Sequence, residues 1–241
     1  MTSRFPQIYD AVYDAAGKDY RGEAERLKTL MDRHGLTGRR SLLDVACGTG
    51  RHLAHLARDF EAVGLDNDPE MLAIARRRLP DVPLHEADMR RFDLGRTFDV
   101  VTCLFSAIGY MQTIEELQAA VASMARHVSP AGLLFIEPWI FPEQFKRGHF
   151  EALLVDEPEL KIARIGRTQR HGDGCTVIMH FLVGTPEGTE CLEERIPMGL
   201  FTHGQYEKAF TLAGLSVTFD SAGLMGRGLF IGAKANEQAG R

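Results

Sequence analysis

Three acids close three hydrophobic runs: Asp44 in "SLLDVACGTG", Asp66 in "AVGLDND" and Asp88 in "HEADMR". The first run passes straight into Cys47-Gly48-Thr49-Gly50, and an apolar pattern with helical spacing follows. Glycines let the backbone approach a ligand closely, because no Cβ stands in the way. A helix opening after such a turn presents unpaired N–H groups. A carboxylate ending the second run can accept both hydroxyls of a ribose, and one after the third can accept from an adenine amino group. The set describes a nucleoside site rather than a connecting turn alone.

Which nucleoside is decided by Asp44. A dinucleotide site calls for G-x-G-x-x-G and aims the helix N-terminus at a pyrophosphate. Here Arg51-His52-Leu53 follows the glycines, so Leu53 stands where the third small residue belongs. Asp44 would also repel a phosphate, whereas it attracts a ligand with a cationic amino group. S-adenosylmethionine (SAM) has one.

The elements that position these residues alternate. Strand-like runs at Ser41–Ala46, Ala62–Leu65, Pro83–Glu86, Asp99–Leu104 and Leu133–Trp139 are separated by helical stretches at Thr49–Arg58, from Asp68-Pro69 to about Arg78, and from Thr113 to about His127. Asp before Pro is a helix start, and Thr113 followed by Glu115 and Glu116 has a capping-box pattern. Alternation of this kind predicts an α/β fold, a Rossmann-like seven-stranded sheet, mostly parallel with an antiparallel last strand. Its ligands belong beyond the carboxyl ends of the strands. Helical spacing over residues 8–34, broken at Gly17, predicts two N-terminal helices. From about 150 to 198 the helical period vanishes and turn signals recur, which predicts an inserted antiparallel meander of about four strands. Thr202–Ala213 then reads as a helix, and Leu215–Phe219 and Gly228–Gly232 as closing strands. The expectation is one domain over 1–241, with the N-terminal helices as a lid.

Composition narrows the partners. With 44% hydrophobic residues in 241, a core can form. A net charge of −5 without basic runs speaks against nucleic acid or an anionic membrane surface. Cys47, Cys103, Cys175 and Cys191 form no CxxC pair, so neither a disulfide framework nor a zinc site is expected. His52 and His55 lack a third ligand and read as solvated or capping residues, with no metal expected. His127 and the Arg76–Arg78 run suit helix C-termini, and Lys18 reads as a surface charge. Without an apolar leader or a long apolar run, a cytoplasmic protein is expected. Exposed edges of the meander would allow a homodimer.

Through "LLDVACGTG", "VGLDND", "HEADMR" and "FDVVTCLFSAIGY" the chain resembles class I SAM-dependent methyltransferases. Through "YDAVYDAAGKDY", "FSAIGYM", "EPWIFPEQF", "GLFTHGQYEKAF" and "GRGLFIG" it resembles more narrowly the dTDP-aminosugar N,N-dimethyltransferases of antibiotic biosynthesis. It departs from their pattern at Ile140, where a second aromatic is usual, and at Ala16, where many members carry an arginine. The resemblance implies SAM as methyl donor, S-adenosylhomocysteine (SAH) as product and a nucleotide-linked amino sugar as acceptor, N-methylated twice. An O-methyltransferase acting on a hydroxyl or carboxylate, and a non-catalytic SAM-binding protein, remain the alternatives.

The cofactor set implied is Tyr20, Asp44, Ala46, Gly48, Gly50, Asp66, Asn67, Asp88, Met89 and Leu104. The acceptor set is Tyr13, Ser106, Trp139, Arg164 and Arg227, the arginines suiting a diphosphate. Glu137, at the end of the fifth strand, and Tyr13 are the residues expected at the reacting amine; Glu137 could equally bond the local backbone.

Overall fold

The computed structural model describes residues 4–36, 38 and 41–234. Two helices come first, α1 (Phe5–Ala15) and α2 (Tyr20–Arg33), separated at Gly17, whose φ is +75°. Then β1 (Ser41–Val45), α3 (Arg51–Leu56), β2 (Glu61–Asp66), α4 (Pro69–Arg78), β3 (Leu84–Glu86), β4 (Phe98–Cys103), α5 (Ile114–Arg126) and β5 (Val128–Ile136) alternate. The meander is β6 (Phe150–Glu157), β7 (Leu160–His171), β8 (Gly174–Thr185) and β9 (Gly188–Gly199). The chain returns through α6 (His203–Leu212), β10 (Leu215–Asp220) and β11 (Leu229–Lys234).

The main sheet runs β10-β11-β5-β4-β1-β2-β3, with β11 antiparallel to both neighbours and the remaining pairs parallel. β1, β2, β4 and the Leu133–Ile136 half of β5 are near-continuous buried runs because helices cover both faces of the sheet, whereas β3 at its edge is largely exposed. One face packs Leu117, Val121, Tyr206 and Phe210 of α5 and α6 on Phe98, Val101 and Phe230. The other packs Leu27, Leu30, Leu53 and Leu72 of α2, α3 and α4 on Leu42, Val100 and Phe135. Deleting one such fully buried aromatic costs about 3–5 kcal/mol.

Caps fix where the helices begin. Asp68 accepts from the amides of Glu70 (2.8 Å) and Met71 (3.2 Å) at α4. Thr113 accepts from Glu116 N–H at α5 (3.2 Å), but the Glu116 carboxylate turns to Gln112 N–H (2.8 Å), so the box expected there is half formed. A reciprocal box forms instead at α6, between Thr202 and Gln205. The sequence expectation started the fifth strand at Leu133. It begins at Val128 and passes a register irregularity, with Ala131 at φ 58°, before resuming at Leu133.

The meander is a separate four-stranded antiparallel sheet, β6-β7-β8-β9. Its inner face meets α1: Phe5, Ile8 and Val12 pack on Val155, Ile162, Met179, Phe181 and Val183. Polar ties hold α1 to the main sheet's edge, with Thr49 Oγ1 donating to Asp10 (2.7 Å), Arg78 paired with Asp10, and Arg51 reaching Asp14 (2.8 Å). Arg78 also donates to the Thr49 carbonyl. It therefore clamps α1 to the glycine turn, a role beyond the dipole one expected of it. Among the described residues no helix is long and apolar enough to cross a membrane.

Candidate active site

Strand order reverses between β4 and β1, and a crevice opens there beyond the carboxyl ends of the strands. The β1–α3 turn forms its floor. Ala46 (φ 59°), Gly48 (55°) and Gly50 (77°) are all left-handed, a conformation glycine adopts without a Cβ penalty. A Cβ on Gly48 would meet nothing within 4 Å, because that residue faces the cavity.

Asp66, 8% exposed, holds the turn in place. Its Oδ2 accepts from Gly48 N–H at 2.7 Å and its Oδ1 from Asp68 N–H at 2.9 Å. Burial pushes its pKa up, and the amide donors oppose the rise. Asp44 lies deeper, 2% exposed, accepting from Thr102 Oγ1 at 2.8 Å. Burial drives its pKa up to about 7; the Thr102 hydroxyl works against this and the Asp66 charge adds to it. Asp88 is gripped by Arg90, with Nε at 2.9 Å and Nη2 at 2.6 Å from Oδ2. That guanidinium keeps the Asp88 carboxyl below its usual range.

A cavity of about 390 Å³ is lined by Ala46, Gly48, Asp66, Asn67, Asp88, Met89 and Leu104. A small adjoining one of about 40 Å³ reaches Asp44, Tyr20 and Thr49. Gly50 lines neither; it caps α3. The Tyr20 hydroxyl is buried without a hydrogen-bond partner among the described residues. A polar tail with a carboxylate and an ammonium would satisfy Tyr20 and Asp44 together, and a ribose diol has Asp66 to bind. The residues present therefore fit SAM.

A third cavity, of about 480 Å³, is lined by Tyr13, Ser106, Trp139, Arg164 and Arg227, the whole acceptor set expected from sequence. Ala16 lines it as well, while Ile140 lines a neighbouring cavity of about 360 Å³ that shares Trp139 and Arg227. Arg227 Nη1 donates to Ser106 Oγ at 2.8 Å, and Ser106 in turn donates to the Pro138 carbonyl at 2.8 Å. The guanidinium lies 5.2 Å from the Trp139 ring centroid. Arg164 is 7% exposed, with Nη2 2.6 Å from Glu151 and Nε buried without a hydrogen-bond partner among the described residues.

Glu137 lines none of these cavities. It is fully buried, and its Oε2 accepts from Phe105 N–H at 2.6 Å. It thereby holds Phe105 and Ser106 at positive φ, 51° and 61°. Burial raises its pKa, against the pull of Lys18 and Arg227.

Two charged or titratable residues lie deeper than expected. Lys18 is not a surface charge: its side chain is 3% exposed, paired with Glu23 and 4.2 Å from the Phe105 ring centroid. His52 is neither solvated nor capping, since it is 7% exposed and its Nε2 lies 2.8 Å from Glu23. Burial pushes Glu23 up, but His52 and Lys18 outweigh that and leave it below the usual carboxylate range. The chain Lys18-Glu23-His52 ties the α1–α2 loop to α3, and Glu23 is the member sequence reasoning missed. It sits at the buried positions of α2 beside Ala24 and Leu27, where a charge is tolerated only when paired.

His127 stays at the opposite edge. Its Nδ1 donates to the Ser123 carbonyl (2.8 Å) and its Nε2 accepts from Leu94 N–H (3.0 Å). No group of three metal-ligating side chains occurs among the described residues.

A reversed parallel sheet, a left-handed glycine turn closed by an acid, and a second cavity beside the first define a SAM-dependent methyltransferase. A methyltransferase domain family matches residues 42–132. More narrowly, the chain belongs to the dTDP-aminosugar N,N-dimethyltransferases. It is 48% identical over 228 residues to the dTDP-3-amino-3,6-dideoxy-α-D-glucopyranose N,N-dimethyltransferase of Streptomyces fradiae, covering 94% of this chain and 89% of that one. It is 44% identical to the dTDP-3-amino-3,4,6-trideoxy-α-D-glucopyranose N,N-dimethyltransferase of Streptomyces venezuelae, covering 95% and 97%. The crystal structure of Streptomyces venezuelae DesVI superposes with a TM-score of 0.91 at 42% identity, over 98% of this chain and 100% of that one. SAM-bound CalS10, an amino pentose methyltransferase of Micromonospora echinaspora involved in calicheamicin biosynthesis, gives 0.87 at 41%, over 95% and 97%.

Proposed function

We propose that this enzyme methylates the amino group of a dTDP-linked amino sugar twice, using SAM. The observation that carries the reading is the acceptor cavity: Arg164 and Arg227 line it beside Trp139 and Tyr13, and it adjoins the cavity that fits the cofactor. When bound, SAM supplies an already activated methyl group, so the protein's work is alignment and exclusion of water.

Asp44 pairs with the ammonium of the cofactor tail, Tyr20 donates to its carboxylate and Asp66 accepts from the ribose. Asp88 with Asn67 and Met89 frames the base. Arg227, pre-aimed by Ser106 and Trp139, and Arg164 bind the diphosphate, which leaves the sugar amine pointing inward. α1 and the meander roof both cavities, and Tyr13 closes the acceptor side. The amine attacks in its neutral form, and its proton leaves to water or to a neighbouring acceptor.

Incubation with SAM and a panel of dTDP-amino sugars is expected to give successive mass gains of one and two methyl groups. SAM binding with no gain on any amine would refute the reading. Arg227→Ala is expected to raise KM for the nucleotide sugar about tenfold, the loss of one charge-assisted bidentate contact. An unchanged KM would remove Arg227 from the diphosphate site.

Glu137 is assigned the support of Phe105 rather than proton abstraction. Glu137→Gln keeps an acceptor for Phe105 N–H, so activity should stay within about threefold, whereas loss of a general base costs about 10²-fold or more. Glu137→Leu orphans that amide and should destabilise the fold by about 2 kcal/mol. Thermal melting and kcat on the two variants separate the roles. An inactive, stable Glu137→Gln would restore Glu137 as the base.

A further inference from the structure

In-line transfer places sulphur, methyl and nitrogen in a row, so the sulphonium must lie where the cofactor and acceptor cavities meet. Among the described residues, three line both cavities: Tyr9, Phe105 and Tyr110. All three are aromatic. A π face attracts a cation, and most strongly where water is excluded. The reacting system is cationic throughout, since the positive charge passes from sulphur to nitrogen as the methyl group moves. A wall shared by both cavities faces that charge before and after transfer.

The three rings are not equally free. The Phe105 ring already carries Lys18 Nζ 4.2 Å from its centroid. Tyr9 packs against Phe5 at 5.5 Å and Tyr13 at 4.6 Å. Tyr110 has neither a ring partner nor a side-chain hydrogen bond among the described residues, and it is 47% exposed. Its place is nevertheless fixed. It ends the 3-10 turn Ala107–Tyr110, and a Cβ added at the preceding Gly109 would fall 2.8 Å from Trp139 Cβ and 2.7 Å from Met198 Cε. The turn is thus pressed against the acceptor wall and the meander, and only glycine permits that approach. A large aromatic side chain held by a tightly packed turn, with its ring and hydroxyl unengaged, is built to meet a ligand.

We propose that Tyr110 is a cofactor-discriminating residue: with Tyr9 and Phe105 it forms an aromatic collar at the cavity junction, and its ring holds the sulphonium charge of SAM. The proposal rests on the SAM site described above and adds to it a basis for telling charged SAM from SAH, whose sulphur is neutral. The phenol is protonated at neutral pH, because a tyrosine ordinarily titrates near 10 and the neighbouring Asp66 and Asp68 carboxylates push it further up, so the ring and not a phenolate provides the attraction.

The test is calorimetric binding of SAM and of SAH to the unaltered enzyme, Tyr110→Phe and Tyr110→Leu. Tyr110→Phe keeps the π face and should bind both ligands within about twofold of the unaltered enzyme. Tyr110→Leu keeps apolar bulk without the π face, and should weaken SAM about tenfold while moving SAH by less than about twofold. An equal loss for both ligands would show that Tyr110 packs on the common nucleoside, and would overturn the proposal. So would a loss in Tyr110→Phe as large as that in Tyr110→Leu, which would assign the effect to the hydroxyl. Failure of the unaltered enzyme to bind SAM would instead bring down the cofactor site itself.

Discussion

Asp66→Ala is expected to weaken SAM binding about a hundredfold and to lower the stability of the fold in the same stroke. The carboxylate bridges two loops, β1–α3 through Gly48 N–H and β2–α4 through Asp68 N–H. Its removal leaves two half-buried amides without their acceptor, which costs about 2 kcal/mol. The same oxygens keep spare lone pairs for a ribose diol, and a charge-assisted pair of bonds accounts for a loss near a hundredfold, about 2.7 kcal/mol. Asp66→Asn separates the two effects. The side-chain oxygen can satisfy one amide while its NH2 confronts the other, so stability should fall less than in the alanine variant while affinity still drops. Calorimetry for SAM and thermal melting of both variants check this. Unchanged affinity in Asp66→Ala would remove Asp66 from the ribose site and leave it a purely structural brace.

Much of this arrangement was legible before any coordinates. Periodicity placed the helices and strands, because apolar runs of five or six residues between Gly, Asp and Pro signals leave few alternatives. The chemistry of Asp44, Gly48 and Asp66 placed the crevice, because open α/β sheets bind at their carboxyl ends. What stayed hidden depends on partners distant in sequence. Lys18 and His52 carry no mark of burial in their neighbours. They are interior only because Glu23, on the far side of a turn, neutralises one and bonds the other. The irregular start of β5 is set by pairing with Phe98 and Val100 across the sheet, which nothing local between His127 and Leu133 announces. Tyr110 looked like one aromatic in a motif. Its significance appears only when the two cavities are seen to share it.

Asp44 gives the sharpest test of the electrostatic design, because its charge opposes folding and favours binding. Its pKa is raised by burial to about 7, against about 3.9 in an unfolded chain. Between those values the native protein holds a proton that the unfolded chain has released, so this residue's contribution to stability falls as pH rises through the window and is flat above about 7. Asp44→Asn keeps an acceptor for the Thr102 hydroxyl without the charge. It should therefore be the more stable protein at pH 8, by about 2 kcal/mol or a rise of about 5 °C in Tm.

Binding should run the opposite way. A cofactor ammonium against Asp44 selects the carboxylate, so SAM affinity should rise with pH below about 7 and level off above it, a change of about thirtyfold from pH 5.5 to 8.5. The Asp44→Asn variant separates that slope from any part owed to Asp66, whose pKa burial also raises. Burial lowers the His52 pKa and pushes the Cys47 and Cys103 thiols up. In Asp44→Asn the profile should flatten, and at pH 8.5 SAM should bind about a hundredfold more weakly, the cost of facing a buried ammonium with a neutral amide. A flat profile in the unaltered enzyme, or an unchanged one in the variant, would detach Asp44 from the ammonium. A variant that gains stability as it loses the cofactor would show why an acid interrupts an otherwise apolar strand: folding tolerates it because the ligand requires it.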